Sequence, residues 1–434
     1  MKQNVAGTTP ALTVVTIIFF MWGFLTSLND VLIPHLKSVF SLNYATIMLV
    51  QFTFFGAYFV MSLPSGKIVS RIGYKYSIVL GLIVAGLGAL LFLPAARLPS
   101  FGLFLAGFFT LASGITLLQV AANPYVSLLG SESQASSRLN LAQAFNSLGT
   151  TLAPKLGGML ILSAAVLGAA ELAALPESQQ AAYRLAQAQM VQLPYLGLGL
   201  ALFALAAGVF LFRLPPLTES TSLGDENLYT FSKALKHRHL RLGVVAIFVY
   251  VGAEVAIGSF LINYIAQPAI GNVSESQASN YVSYYWGGAM IGRFIGALLL
   301  KRVDPRRLLA MCAAVAAVLL AVTMSTTGGV AVWSIVSIGL FNSIMFPNIF
   351  TLGIERLGPL TGKASSLLIM AIVGGAIVPL LQGVLADRIG VQLAFILPLV
   401  CYLYIIYYGL NGSKLNGSLA VAASGPVATA PAIH

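Results

Sequence analysis

The sequence predicts an all-α membrane protein with twelve transmembrane helices arranged as two related bundles of six. Three observations predict it. Of the 434 residues, 58% are hydrophobic and only 8% are charged, apolar runs of spanning length recur along the chain, and short motifs repeat about half a chain apart. Because soluble proteins carry about 25% charged residues, most of this chain's surface must face lipid.

A helix needs about 20 mainly apolar residues to cross the hydrocarbon core of a bilayer. On that basis we identify twelve runs and number them spans one to twelve. The first run has spanning length and lacks the small-residue cleavage site of a signal peptide, so we expect it to be retained. The twelve runs begin near Ala11, Tyr44, Ser77, Phe101, Leu139, Val191, Leu242, Ser279, Leu308, Ala331, Ala364 and Val391.

The longest polar stretch lies between spans six and seven and divides the chain into halves. We predict an N-terminal six-helix bundle (1–213), a cytoplasmic linker (214–240) and a C-terminal six-helix bundle (241–410). The remaining segment, 411–434, is rich in Ala, Val, Gly, Ser and Pro, a composition typical of a disordered tail.

The basic residues predict the orientation of the spans. The net charge is +11, but Lys and Arg are scattered through short loops, which favours a topology signal over nucleic-acid binding. Most of them fall in the loops that share a side with the N-terminus; only four fall in the opposite loops, namely Lys37, Arg97, Arg184 and Arg388. We therefore predict a plasma (inner) membrane protein with both termini in the cytoplasm, and we expect a monomer.

Repeated motifs indicate that the two halves are related. Pro124 and Pro347 lie 223 residues apart, and each is followed by Leu-Gly at the same distance. Pro154 and Pro379 lie 225 residues apart, and each is followed by Gly four residues later. Such internal repeats are typical of secondary transporters.

Two acids inside spans are the strongest functional candidates. A charge at the centre of a membrane helix costs about 2.5–3.5 kcal/mol, so intramembrane acids are usually functional. Asp30 in span one and Glu254 in span seven lie 224 residues apart, which makes them pseudo-equivalent. We predict that both couple transport to H⁺ or Na⁺. The alternative for Asp30, which lies late in its span, is contact with the outer interface.

Neutral amides supply the predicted substrate-binding face. Gln143 and Asn146 of span five lie three residues apart and share one face of the helix, and Gln119 lies on span four. Amides both donate and accept hydrogen bonds, which suits a polyhydroxylated substrate. The alternative is hydrogen bonding between helices. We extend the predicted set to Asn29, Trp286, whose ring could stack on a sugar, and Asn342.

Three basic residues are predicted to act in gating: Arg71 and Lys75 in the loop after span two, and Arg293 in span eight. We find no Walker loop, zinc-ligand spacing or HExxH motif, so the sequence does not indicate an enzyme, a resident cofactor or a bound metal.

The loop after span two reads GKIVSRIGYK (66–75). It resembles the major facilitator signature G-x-x-x-D-R-x-G-R-K/R, with Ser70 in place of the acid and Tyr74 in place of an arginine. The resemblance implies a major facilitator fold that alternates access by rocking two bundles. The missing acid implies an inner gate that is weaker or built differently.

Longer segments resemble the fucose:proton symporter family, which includes L-fucose permease and bacterial glucose/galactose porters. They are LNDVLIP (28–34), AANPY (121–125), RLNLAQAFNS (138–147) and YVGAE (250–254). The resemblance covers all twelve spans. It implies that Asp30 is the family's first-span carboxylate and that Gln143 and Asn146 are its sugar-binding amides.

One departure points to a branch of that family. L-Fucose permease has a glutamate in span four, where this chain has Gln119, and a glutamine in span seven, where this chain has Glu254. This exchange resembles the glucose/galactose branch. We therefore expect cation symport of a monosaccharide, most simply glucose or galactose. L-Fucose or N-acetylglucosamine proton symport, a non-transporting sugar sensor and a membrane-embedded transferase are the alternatives; neither a signalling domain nor a catalytic acid–metal cluster is visible.

Overall fold

The computed structural model describes residues 5–40, 46, 49–161, 174–215 and 230–415. Every regular element in these ranges is a helix. This is the element type expected from long apolar runs, because only a helix satisfies its own backbone hydrogen bonds in lipid.

In the N-terminal half the predicted spans appear in order. Span one is Val5–Val39, spans two and three share Leu49–Arg97, span four is Phe101–Leu128, span five is Ala135–Ile161 and span six is Gln192–Leu211. The reversal between spans two and three is at Gly73, whose φ of 75° is in the left-handed region that favours glycine.

In the C-terminal half a short helix, Phe231–Ala234, precedes span seven, Arg238–Ile265. Span eight is Glu275–Leu299 and span nine is Pro305–Ser325. Span ten has two segments, Gly328–Asn342 and Met345–Ile354; span eleven likewise contains Thr361–Met370 and Gly374–Ile389. Span twelve contains Val391–Ala394 and Ile396–Tyr407 and ends in the π-helical turn Tyr408–Gly412.

One helix was not expected. Glu177–Gln189 precedes span six, in a region predicted to be an outer loop. It contains Glu, Gln and Arg and is too polar to be found as an apolar run. In the structure it packs against span one and against Leu49–Arg97.

Within the described ranges, nine helices are long and apolar enough to cross a membrane. One of these is Leu49–Arg97, which contains two spans. Spans five and eight are not among the nine, because polar side chains interrupt their apolar character. These two helices, the least apolar of the spans, pack against each other at the boundary between the halves.

The halves also meet at one end of the bundle, which we call the basic face. It contains the turn at Gly73 and the ends of spans four, eight and ten. Among the described residues, four of the hydrogen bonds that cross between the halves there are Ser136 Oγ with Thr351 Oγ1 (2.6 Å), Asn140 Nδ2 to Asn348 Oδ1 (3.1 Å), Ser137 Oγ to Ala297 O (2.6 Å) and Ser365 Oγ to Val120 O (2.9 Å).

One ion pair crosses the basic face as well. Arg356 Nε lies 3.7 Å from Glu132 Oε1, and both side chains are substantially exposed. Exposed pairs contribute little, about 0–1 kcal/mol. Ser70, which replaces the acid of the signature loop, donates to Lys67 O in its own helix. Among the described residues, neutral, buried hydrogen bonds therefore contribute more to closing the basic face than this ion pair does.

Candidate functional site

Glu254 lies within the buried polar region of span seven. Its Oε1 accepts a hydrogen bond from the hydroxyl of Tyr250 at 2.8 Å, one helical turn earlier. The guanidinium of Arg293 is close enough to attract the carboxylate. Span seven thus presents an acid that is partnered but retains acceptor capacity for a cation. The side chains of Asn29 and Asp30 lie outside the described residues, and their predicted roles stay predictions.

The three predicted amides are buried and lie on the N-terminal half. Gln119 Nε2 donates to Tyr58 Oη at 2.7 Å, and Asn146 Nδ2 donates to the carbonyl of Phe19 at 2.9 Å. These contacts join span four to span two and span five to span one. Each amide retains a second N–H and further acceptor lone pairs, so it can be fixed by the protein and still bind a hydroxyl.

Gln143 completes this face. Its Nε2 lies 3.5 Å from Oδ1 of Asn123 on span four. The Nδ2 of Asn123 is buried and has no protein partner in the part of the chain that the structure describes. An unpaired buried donor is costly, about 1–3 kcal/mol, so this atom is suited to a water or a ligand oxygen beside Gln143.

Glycines allow spans one and five to approach closely at this point. A Cβ added to Gly23 would collide with the carbonyl oxygen of Asn146, and one added to Gly149 would collide with that of Phe20. The close approach places Asn146 within reach of the Phe19 carbonyl. The sequence therefore positions this amide through small residues on both helices.

Arg293 bridges the halves instead of facing the basic surface. From span eight, its Nη1 donates to the hydroxyl of Ser147 and, at 3.4 Å, to the carbonyl of Gln143 on span five. Its Nε donates to the carbonyl of Ser343 on span ten at 3.2 Å. Its predicted gating role stays a prediction. Arg293 directly connects span five, which carries two of the predicted sugar-binding amides, to spans eight and ten of the other half.

Asn342 is completely buried, and both ends of its amide are bonded. Its Nδ2 donates to Tyr285 Oη at 2.8 Å, and its Oδ1 accepts from Tyr402 Oη at 2.7 Å. Its predicted contact with substrate stays a prediction. In this geometry the side chain holds spans eight, ten and twelve together.

Trp286 is 40% exposed and lies next to the buried ring of Tyr285, edge to face, with 5.1 Å between ring centroids. It also covers Gly258 of span seven. One part of its ring is packed and another is accessible, which leaves the predicted stacking role open.

The two basic residues of the signature loop lie apart from the site. Lys75 Nζ lies 5.9 Å from the ring centroid of Tyr76 and 5.8 Å from that of Phe210, both in its own half. Arg71 is exposed on the basic face. Their predicted gating roles remain untested.

The structure thus brings four of the predicted residues, Gln143, Arg293, Asn342 and Glu254, into one polar network that runs across both halves. Contacts lead from Asn123 through Gln143 to Arg293, on to the break in span ten, and through Tyr250 to Glu254. The arrangement offers amide groups for hydroxyls in one half and a carboxylate for a cation in the other.

Sequence reasoning missed three tyrosines and a serine that bond to predicted residues: Tyr58, Tyr250, Tyr402 and Ser147. Aromatic residues in apolar runs are most often core or interface residues, which is why they were not singled out. The spacing of Tyr250 and Glu254, four residues apart on one helix face, is a signal that could have found the first partner of the acid.

Comparisons with known proteins agree on one family. The model of the Major Facilitator Superfamily matches residues 15–372. A glucose/galactose transporter of Brucella abortus is 53% identical over 93% of this chain and 94% of its own length. The L-fucose-proton symporter of Escherichia coli is 36% identical over 90% of each chain. A crystal structure of a major facilitator transporter, FucP, in the outward conformation superposes with a TM-score of 0.88 at 34% identity, covering 94% of this chain and all of that one.

Proposed function

The chain belongs to the major facilitator superfamily, in the family of these glucose/galactose transporters and L-fucose-proton symporters, and from that premise we propose that it takes up glucose or galactose by cation symport. Membership makes it a multi-pass membrane transporter rather than an enzyme, and it confirms the all-α major facilitator fold predicted from the sequence.

The observation that carries the proposal is the placement of buried amides in one half and of a carboxylate in the other. Gln119, Gln143 and Asn146 present donors and acceptors from spans four and five, and Glu254 presents a carboxylate from span seven. A hydroxyl-rich solute needs hydrogen-bond donors and acceptors such as these amides, and a co-transported cation needs a carboxylate. The 53% identity to a glucose/galactose transporter supports these hexoses as substrates.

The cation is assigned to two acids. Asp30 and Glu254 occupy pseudo-equivalent positions in spans one and seven, and an ionised acid inside a span costs about 2.5–3.5 kcal/mol unless it has a partner. Binding H⁺ or Na⁺ removes that cost. The cation and the sugar would then bind on the outer side and be released together on the inner side, which couples sugar uptake to the ion gradient.

In this proposal the basic face is cytoplasmic and the structure is outward-facing. The basic face is closed by hydrogen bonds between the halves, and the similar solved structure has the outward conformation. The distribution of Lys and Arg favours a position of both termini in the cytoplasm. In this proposal the carrier acts as a monomer in the plasma membrane.

Counterflow into proteoliposomes tests the substrate. Vesicles loaded with unlabelled D-galactose should transiently accumulate labelled D-glucose and D-galactose, and an excess of either hexose should compete. L-Fucose and N-acetylglucosamine serve as the discriminating sugars. Counterflow of L-fucose alone would replace the hexose assignment with that of the 36% identical relative; binding without counterflow of any sugar would indicate a sensor.

A further inference from the structure

Span ten is interrupted in the middle of the polar network. Its first segment ends at Asn342 and its second begins at Met345. Pro347 has no N–H, so the carbonyl of Ser343, four residues earlier, has no helical donor. A buried carbonyl needs a partner, and at this break the partners come from other helices.

Two side chains supply them. Arg293 Nε of span eight donates to Ser343 O at 3.2 Å, and Tyr250 Oη of span seven donates to Asn342 O at 3.0 Å. Adjacent carbonyls at one break are therefore held by two different helices. Through Arg293 the same break is connected to Ser147 and Gln143 on the opposite half.

The hydroxyl of Tyr250 has two acceptors but only one hydrogen. Besides Asn342 O, it lies 2.8 Å from Oε1 of Glu254, and the tyrosine is completely buried. When Glu254 is ionised, the charge-assisted bond is the stronger, so the hydrogen goes to the carboxylate and Asn342 O loses its donor. When Glu254 is protonated, it can donate to the tyrosine oxygen, and the tyrosine hydrogen turns to Asn342 O.

We propose that Tyr250 is a positioning residue that transmits the charge state of Glu254 to the break in span ten. The inference rests on the proposed function, in which Glu254 binds the cation. When Glu254 is neutral, the hydroxyl of Tyr250 donates to Asn342 O and joins span seven to span ten at the break. When Glu254 is ionised, that hydrogen bond is lost.

The helical segment that follows the break connects it to the basic face. Met345–Ile354 contains Asn348 and Thr351, which bond to Asn140 and Ser136 of span five. A change in how the break is held therefore reaches two of the four hydrogen bonds that close the basic face. The charge of Glu254 would in this way bias the equilibrium between outward- and inward-facing states.

Other titratable groups surround the same carboxylate. Among the described residues, the ionisable groups near Glu254 are Tyr250 on its own helix, Arg293 and Tyr285 of span eight, and Tyr402 of span twelve. Tyr285 and Tyr402 bond to the side chain of Asn342, whereas Tyr250 bonds to its backbone and to the acid. Tyr402→Phe is therefore a matched control that removes a hydroxyl from Asn342 without touching Glu254.

A double-mutant cycle on the detergent-purified full chain tests the proposal. Spin labels at Lys67→Cys and Arg307→Cys, both exposed on the basic face, report the distance between the halves without sugar or an ion gradient. Glu254→Gln mimics the protonated acid, which keeps the bond between Tyr250 and the break. We expect it to shift the ratio of the two distance populations toward the shorter distance, the closed basic face, by about threefold, the effect of one membrane-buried hydrogen bond. The shift should vanish in the Tyr250→Phe background and persist in the Tyr402→Phe background.

An equal shift in the Tyr250→Phe background, or no shift in any background, would overturn the proposal. Hydrogen exchange keeps the test independent of whether Tyr250→Phe folds. The backbone amides of Met345 and Phe346 should exchange more slowly in Glu254→Gln than in the parent, because Tyr250 then holds the break by its hydrogen bond to Asn342 O. Equal exchange in the two proteins would also overturn the proposal. Neither readout requires transport, so a failure of sugar counterflow would contradict the proposed function separately.

Discussion

At the scale of single residues, the candidate sugar-binding amides are held in place before any ligand arrives. Gln119 is fixed by Tyr58, and Asn146 by the carbonyl of Phe19. Groups fixed in this way lose little side-chain entropy when they bind, which improves affinity. The site therefore gains hydrogen bonds to a sugar without first having to order its own side chains.

Replacing Gln143 by Ala should weaken sugar binding at least about tenfold, or roughly 1.4 kcal/mol. The substitution removes one amide and leaves Asn123 with two unsatisfied groups in a buried position. Isothermal titration of the purified protein with D-galactose measures the loss. Gln179→Ala, at an exposed glutamine outside the spans, is the matched control. Unchanged affinity in a folded Gln143→Ala variant would make this residue a packing residue.

Glu254→Gln should abolish coupled uptake, because the substitution is nearly isosteric but removes the ionisable group. The double change Glu254→Gln with Gln119→Glu moves the acid from span seven to span four, the arrangement that the sequence resemblance implies for fucose permease. We expect the double variant to recover part of the coupled uptake. Gradient-driven uptake of labelled sugar over a range of pH and Na⁺ concentrations measures this; a Glu254→Gln variant that transports like the parent throughout would refute an ionic role.

At the scale of elements, the closed basic face includes hydrogen bonds that can exchange easily. Among the described residues, the four neutral hydrogen bonds that join the halves contribute about 0.6 kcal/mol each in a membrane protein. The ion pair Arg356–Glu132 is exposed and adds little. Bonds of this strength can break and re-form without a large input of free energy, which alternating access requires.

A crosslink across this face should lock the carrier. Ser136 and Thr351 have hydroxyl oxygens 2.6 Å apart on opposite halves, so Ser136→Cys with Thr351→Cys should form a disulfide on oxidation. We expect at least about a tenfold loss of transport, with sugar binding from the opposite side retained, and recovery after reduction. Each single-cysteine variant, oxidised in the same way, is the control. Full transport by the crosslinked protein would show that this face does not open.

At the scale of the whole molecule, composition and periodicity predict the architecture well but not its irregularities. Apolar runs located the spans because lipid requires them. They did not reveal the polar helix Glu177–Gln189, nor the sharp reversal between spans two and three at Gly73.

The candidate site could be predicted from the sequence where its residue types are rare in membrane helices, and not where they are common. Glu254 and the span-five amides stand out because polar groups in lipid are costly. Tyr250 and Tyr58 do not, because tyrosine is common in membrane helices. The bridging position of Arg293 depends on how the two halves meet, which no local sequence pattern records.

Uphill uptake in proteoliposomes tests the central claim, cation-coupled sugar transport, most directly. With equal labelled D-galactose on both sides, an imposed inward H⁺ or Na⁺ gradient should raise the internal sugar above the external level. Asp30→Asn should still exchange sugar but should not accumulate it, since the first-span carboxylate is then absent. If the parent only equilibrates the sugar under both gradients, or if Asp30→Asn accumulates it as the parent does, the proposed coupling is contradicted.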